Sequence, residues 1–433
     1  MREMLPEAEV MAFVEALQKD PSVSVRVNPG KPYLETGGLA PVAWCPSAFY
    51  VDHRPAFILD PLFHAGAYYV QEASSMFVGQ ALKMVGEVNV ALDLCAAPGG
   101  KSTLIRSMLP DRALLVSNDP VTQRAQVLAE NMIKWGHEGY VVTSNYPKDF
   151  GALGAVFDLV VVDAPCSGEG MFRKDNPALE LWSEENVVMC AKRQRQILND
   201  VWPSLKEGGY MIYSTCTYNT MENEENVRYI CDSLGAEVVE ISVADSWHIA
   251  GNMMKGENFP VYRFFPHLTR GEGFFLALLR KTATTASVRM KDKLTLRPLP
   301  QEWRERMDDN AMGILEKDAV SYAVRNNDAP VLGCLMKKLR LLTFAIPLYE
   351  VKGRKQVPHQ ALAMSRRCLK EGFPVVSLSL EEALDYLRCM AIKIDAPRGY
   401  VLVTYKGAPL GFANNLGNRA NNMYPQQWRI RYN

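Results

Sequence analysis

Six apolar runs between residues 88 and 280 restrict the fold of this 433-residue chain more than any other feature. They are VNVALDL (88–94), RALLVSND (112–119), YVVTS (140–144), FDLVVVDAP (157–165), YMIYSTC (210–216) and FFLALLR (274–280). Each is apolar with little alternation, the pattern of strands covered on both faces. Between the second and third, VTQRAQVLAENMIKW sets Val121, Ala125, Leu128, Met132 and Trp135 at helical spacing, so an amphipathic helix packs there. Strands alternating with helices imply an α/β fold built on a doubly wound, mostly parallel sheet. All carboxyl ends of such strands share one edge, and ligands bind in the crevice outside it.

These runs define a domain over residues 71–281. Residues 1–70 hold an opening helix, the short strand SVSVRVN and Gly/Pro-rich connections, and form a small N-terminal domain. After the last run, KTATTASVRMKDK is Ser/Thr/Lys-rich and aperiodic, so 282–300 reads as a linker that lets 71–281 fold alone. The remaining residues, 301–433, end in GYVLVTYKGAPLGFANNLGNRANNMYP, whose strands, Lys-Gly turn and Asn-rich loop describe a small β-rich module. The formal net charge is zero, yet from Cys334 onward there are 16 Lys and Arg against 6 Asp and Glu. Between Cys334 and Lys370, Lys337, Lys338, Arg340, Lys352, Arg354, Lys355, Arg366, Arg367 and Lys370 face Glu350 alone. Such a run is ordinarily a solvated face. Polyanion docking becomes the better reading only through what the rest of the chain contains. With no long apolar run and no leader-like start, the expected compartment is the cytoplasm and no membrane is involved. The nine cysteines form no CxxC pair and the histidines no metal-binding spacing, so neither a disulfide framework nor a metal is expected.

The chemistry begins at LDLCAAPGGKST (92–103), where the first run gives way to a Pro/Gly/Gly turn and a helix. Gly99 and Gly100 admit a ligand close to the backbone, and the helix start offers unpaired N–H groups. The spacing matches neither a dinucleotide fingerprint nor a P-loop. Asp119, at the end of the second run, stands where a carboxylate holds the hydroxyls of a nucleoside ribose, although a turn-capping role is equally available to it alone. At the same edge, the fourth run ends in DAPCSGEG and the fifth in STCTYN, each with one thiol, Cys166 and Cys216. A lone cysteine at a strand end is usually inert. Two at a cofactor edge, near a cation such as Lys101, point to nucleophilic catalysis.

Together GAYYVQEASSM (66–76), DLCAAPGGKST, VVDAPCSGEGMFRKDNPALELW, YSTCTYNTMENEENV, FPHLTRGEGFFLALL, HQALAMS and GFANNLGNRANNMYP resemble the Nop/Sun-domain RNA (cytosine-5)-methyltransferases, in particular the bacterial RsmF-type branch acting on ribosomal RNA. The likeness runs through nearly the whole chain. It implies a Rossmann-like methyltransferase domain, an N-terminal substrate-binding domain over 1–70 and a C-terminal RNA-binding region ending in a PUA-like module. It implies S-adenosylmethionine as cofactor, held by Cys95, Ala96, Ala97, Pro98, Gly99, Gly100 and Lys101, with Asp119, Arg124, Asn145 and Asp163. Many relatives carry Asp where Asn145 stands; its carbonyl oxygen would have to accept the adenine amino group. The resemblance makes Cys216 the nucleophile that adds to cytosine carbon 6 and Cys166 the thiol that assists release, with Asp163 and Lys101 beside the base. DNA cytosine methyltransferases use the cysteine of a PC motif, which keeps Cys166 as a rival. The implied partner is RNA rather than DNA, most directly 16S rRNA or the small ribosomal subunit, with tRNA as the alternative, and the chain is expected to act as a monomer. A catalytically inactive RNA-binding assembly factor is the competing class, and the retained Cys216, Asp163 and Gly-Gly loop argue against it. A methyltransferase acting on nitrogen or oxygen would leave both cysteines unexplained. Glu169, Arg173 and Asp175 are read as ordering the loop after Cys166.

Overall fold

The computed structural model describes residues 4–174, 179–180, 182–286, 294–308 and 311–431. Asp175 and residues 287–293 of the Ser/Thr/Lys-rich stretch lie outside the described residues. The central sheet contains β1 (Val90–Asp93), β2 (Leu114–Asn118), β3 (Tyr140–Thr143), β4 (Phe157–Asp163), β5 (Leu205–Thr215), β6 (Ala236–Val239), β7 (Tyr262–Phe264), β8 (Phe274–Lys281) and β9 (Leu341–Phe344). Its order is β6-β8-β5-β4-β1-β2-β3-β9, with β7 paired to β8. Strands β1 to β5 run parallel, and the other four join antiparallel. The chain steps outward from β1 to β3 and then crosses back to β4 on the other flank of β1. The crevice therefore opens between the carboxyl ends of β1 and β4.

Helices α1 (Gly100–Met108), α2 (Thr122–Trp135) and α3 (Glu184–Val201) cover the sheet. In α2 the residues Ala125, Leu128, Met132 and Trp135 are buried, as their spacing predicts. Val121 departs from that stripe. It sits before the first helical turn in an extended conformation, 48% exposed, because the helix begins one residue later.

The N-terminal region is richer than the single strand expected of it. Pro41–Val42, Cys45–Val51, Val23–Val27 and Tyr68–Val70 form an antiparallel sheet in that order. Arg26 reaches out of it, fully buried, to donate to Gln71 Oε1 (2.9 Å), to Thr103 Oγ1 (2.6 Å) and to the Gly100 carbonyl (3.2 Å). Its guanidinium also lies 4.6 Å from the centre of the Trp135 ring. Burial lowers its pKa to about 10. One arginine thus fastens the N-terminal sheet to the first turn of α1.

A five-stranded antiparallel sheet spans 297–358 and a four-stranded sheet spans 375–422; the first begins inside the 282–300 stretch read as a linker, because Arg297–Pro298 pairs with Gly313–Ile314. Between strands of the first of these, the chain contributes β9 to the central sheet, so the domain that starts at residue 71 takes its last strand from beyond residue 300. The seam is closed by charge. Glu138, 1% exposed, accepts from Arg366 Nε (2.9 Å) and Arg367 Nη2 (2.8 Å). Burial works against the carboxylate there, but the two guanidinium groups outweigh it and hold its pKa well below the ordinary range. Lys338 and Lys370 donate to the carbonyls of Ala152 and Gly407. Part of the C-terminal positive charge therefore binds the protein to itself. No helix among the described residues is long and apolar enough to cross a membrane.

Candidate active site

At the end of β1 the chain enters the turn 94–99 through Asp93, which is completely buried. Ser102 donates to Asp93 Oδ2 (2.6 Å), while Oδ1 is buried without a partner. Burial pushes this carboxyl up to about 7, against the pull of the Ser102 hydrogen bond. Gly99 adopts φ +119°, and a Cβ there would meet Leu128 at 3.2 Å, so the turn requires glycine. The neighbouring strand ends brace the turn. Asn118 donates to the carbonyls of Leu94 and Asn145, both at 3.0 Å, and its Oδ1 accepts from Thr143 and from the Asn145 N–H. Asn131 and Arg124 on α2 donate to the carbonyls of Pro98 (2.8 Å) and Ala97 (3.1 Å).

Two clefts flank this turn. The smaller, about 180 Å3, lies between it and the segment 69–75, and its lining includes Gln71, Glu72, Lys101 and Asp163. The larger, about 510 Å3, runs along the other side past Cys95, Pro120, Arg124, Tyr146 and Ile197. Lys101 Nζ donates to Asp163 Oδ2 (2.8 Å), and Ser214 Oγ to Asp163 Oδ1 (2.8 Å). Burial pulls the Lys101 pKa down, but Asp163 and the nearby Cys216 more than reverse it. That lysine is firmly cationic.

The two sulfurs predicted to share the edge do so: Cys166 Sγ and Cys216 Sγ are 3.2 Å apart, and all nine cysteines are free. The hydrogen bond to Cys216, then burial, raises the Cys166 pKa well above that of an ordinary thiol. Cys166 is therefore held as a thiol. Cys95, also at this edge, is pushed up by burial and by Asp163, Asp93 and Asp119, and stays an inert thiol.

A reciprocal pair of carboxylates sets the spacing of the sulfurs. Glu169, from the Cys166 loop, accepts from Thr217 Oγ1 (2.6 Å), the Tyr218 N–H (2.7 Å) and the Asn219 N–H (3.0 Å). Glu222, from the Cys216 loop, accepts from the Ser167 N–H (3.0 Å) and from Gln194 Nε2 (2.7 Å). Arg173 grips Glu272 through Nε (3.0 Å) and Nη2 (2.8 Å) and reaches the carbonyl of Ala16. Glu169 and Arg173 bond in the ordering role read for them. Nothing local in the sequence marks Glu222, Arg26 or Asn118, whose partners come from distant segments of the chain.

Asp119 is 1% exposed; its Oδ1 accepts from the Val121 N–H (2.9 Å) and its Oδ2 lies 3.3 Å from Arg124. Asn145 lines neither cleft. Its Oδ1 accepts from the Arg340 N–H (3.0 Å), at the approach to β9, and the neighbouring Tyr146 takes the wall position instead. The group implied by the motif fits these surroundings. The unpartnered Asp93 oxygen, the left-handed glycine turn and the larger cleft beside it suit a nucleoside joined to a charged amino-acid tail.

Family models match three parts of the chain: the 16S rRNA methyltransferase RsmB/F over residues 80–280, the N-terminal domain of 16S rRNA methyltransferase RsmF over 1–73, and the methyltransferase RsmF PUA domain over 373–430. The ribosomal RNA small subunit methyltransferase F of Aliivibrio fischeri is 30% identical, covering 96% of this chain and 93% of its own. That of Shewanella amazonensis is 31% identical, covering 98% and 95%. Among solved structures, NSun6 from Pyrococcus horikoshii with SFG superposes at TM-score 0.55 with 21% identity, over 65% of this chain and 96% of that one. A methyltransferase homolog from the same organism gives TM-score 0.55 and 24% identity over 64% and 92%. These structural likenesses establish the fold.

Proposed function

This chain belongs to the ribosomal RNA small subunit methyltransferase F family, whose cofactor is S-adenosylmethionine, and from that premise we propose that it methylates carbon 5 of cytosine in 16S rRNA through covalent attack by Cys216. The observation that carries this reading is the 3.2 Å sulfur pair with one thiol held protonated. Carbon 5 of cytosine is a weak nucleophile. A bond from Cys216 Sγ to carbon 6 makes the ring enamine-like, so that carbon 5 can act. S-adenosylmethionine supplies the electrophilic methyl group when bound. Lys101 and Asp163 line the small cleft at the carboxyl end of β4 and orient the base there, with Asp163 fixed from its other side by Ser214. Residues 95–101 with Arg124 and Asp119 hold the cofactor, and Asp93 adds its free oxygen to that set. Asn145, bonded to Arg340, would have to offer its second lone pair.

The pair also supplies a timing device. While Cys216 is free, its hydrogen-bond contact with Cys166 raises the pKa of that thiol. Once Cys216 is a thioether its sulfur is a weaker hydrogen-bond partner, and the largest cause of the raised Cys166 pKa is diminished. Cys166 gives its proton to water and, as thiolate, takes the carbon-5 proton. That C–H bond pair restores the carbon 5–carbon 6 double bond, the Cys216–carbon-6 bond breaks, Cys216 leaves as thiolate, and the RNA departs with 5-methylcytosine. The test is a denaturing gel of Cys166→Ala, Cys216→Ala and the double variant with 16S rRNA and cofactor. A slowly migrating adduct is expected in Cys166→Ala alone and should vanish in the double variant. An adduct in Cys216→Ala instead would reverse the roles, and normal turnover by Cys166→Ala would reduce that thiol to packing.

A further inference from the structure

A separate cleft of about 600 Å3 opens where the N-terminal region meets the loops that follow Cys166 and precede β8. Lys19 and Asp20 line it just beyond the helix Glu7–Leu17, Asp52 and Arg54 from the turn after the strand Cys45–Val51, and Lys174 and Arg270 from the two loops. Arg54, Lys174 and Arg270 are all exposed. Arg54 has no acidic partner among the described residues, and Lys174 reaches only Glu272, at 3.6 Å. The Arg270 guanidinium lies 4.2 Å from the centre of the Tyr50 ring, while Tyr50 Oη donates to the Arg270 carbonyl (2.8 Å). That arm is pinned to a ring with its N–H groups left for an anion. Asp20 and Asp52 share the cleft but engage none of these cations.

The cleft is wired to the reacting sulfurs. The Gly170 N–H donates to the Cys216 carbonyl (2.8 Å), and Gly170 packs so closely on Gly273 that a Cβ would fall 2.5 Å from its carbonyl oxygen. Lys174 lies four residues after Gly170 and Arg270 three before Gly273, so the backbones of both stand within about 20 Å of the Cys216 backbone. The two clefts adjoin through one hydrogen bond: Gly271 lines this cleft, Glu72 lines the base cleft, and the Glu272 N–H donates to Glu72 (2.9 Å). The strand of a base turned out of its stack into the small cleft has this neighbouring cleft within reach.

We propose that this cleft seats the phosphate backbone of the RNA strand next to the target cytidine, through Arg54, Arg270 and Lys174. Such contacts carry no sequence information but fix the register of the strand against the thiols. The surface rests on the RNA methylation proposed above and locates its grip beside the N-terminal sheet, whereas Arg366 and Arg367 are committed to Glu138.

The test uses the full chain and a short single-stranded, fluorescein-labelled RNA, followed by anisotropy across a salt series. Arg54→Ala/Arg270→Ala should bind about tenfold more weakly, with the slope of log affinity against log salt shallower by about 1.4, as two lost single-strand phosphate contacts require. Arg54→Lys/Arg270→Lys should restore most of both. S-adenosylmethionine binding, read by calorimetry, should not move. Unchanged affinity and slope in the alanine variant would overturn the proposal, as would weakened binding with the wild-type slope and no rescue by lysine. If the wild-type protein makes no 5-methylcytosine while the salt-slope result holds, the methylation reading fails and the phosphate cleft stands.

Discussion

At the thiol loops, Glu169 and Glu222 are met by neutral N–H and O–H groups; at the seam, Glu138 is met by two guanidinium groups. Backbone donors lie at fixed positions on the loops, so a carboxylate that takes them fixes the loops relative to each other. They also add no positive charge beside the sulfurs. A guanidinium there would draw Cys166 towards its thiolate, against the Cys216 contact and the burial that raise its pKa. The seam has no such constraint. Long arginine arms reach across it and hold a carboxylate between regions far apart in sequence, where strength of grip matters more than fine position.

The largest expected effect comes from turning that contrast around at one atom pair. Glu169→Gln brings an amide N–H2 towards the Thr217, Tyr218 and Asn219 donors, so single-turnover methylation should fall about a hundredfold or more with a stability loss of a few kcal/mol. Near-wild-type chemistry in that variant would show that the clasp does not set the sulfur geometry. Next, Glu138→Gln should cost about 2–4 kcal/mol in urea unfolding by leaving two half-buried guanidinium groups short of a counter-charge. Its turnover at saturating RNA should stay within severalfold of wild type. A hundredfold fall there would mean that seam and clasp are one unit.

Acid should act on the seam side. Burial lowers His137 to about 3 and His64 and His359 to about 4, against 6.5 in the unfolded chain. From pH 6.5 down to about 4.5 the unfolded state thus binds three protons that the folded state refuses. Asp93, raised to about 7 from 3.8, holds one proton that the unfolded state lacks and offsets one of them. Stability should therefore fall by about 2.7 kcal/mol per pH unit through that window, measured as the shift in urea midpoint. A flat profile would place charged histidines in the folded protein. The smallest effect lies on the alkaline side. Lys31 is buried, donates to the carbonyls of Ala65 (2.9 Å) and Lys134 (2.6 Å), and is lowered by burial to about 7 from 10.5. Between pH 7 and 8, below the range where Lys281 and the buried thiols titrate, the unfolded chain carries the extra proton, so stability should rise by about 1.4 kcal/mol per pH unit, and Lys31→Met should remove the rise.

The parallel strands were legible because strands covered on both faces leave an unbroken apolar signature, and the thiols because residue type at a strand end carries chemistry by itself. Other features had no such mark. LLTF at 341–344 is four apolar residues in a basic stretch, and nothing local says that it pairs with YVVT two hundred residues earlier in the sequence. Charge counting could not separate Arg366 and Arg367, spent on Glu138, from Arg354 and Lys355, which stay exposed on a hairpin. Val121 fell on the helical stripe by spacing but sits outside the helix. Arg26 and Asn118 are single polar residues in strands, and their worth lies wholly in partners that only the folded chain brings near.

The borrowed edge strand also sets a clock on synthesis. β3 emerges long before β9: the hydrogen bond from the Arg340 N–H to Asn145 that prepares their pairing spans 195 residues. At the usual rate of elongation that is a wait of about 10 to 40 s. Throughout it, the nascent sheet presents β3 as an open edge with unpaired backbone groups, the kind of template on which chains stick to one another. A nascent chain stalled before residue 341 would therefore carry its cofactor turn and both thiols complete, yet be the species most in need of a chaperone.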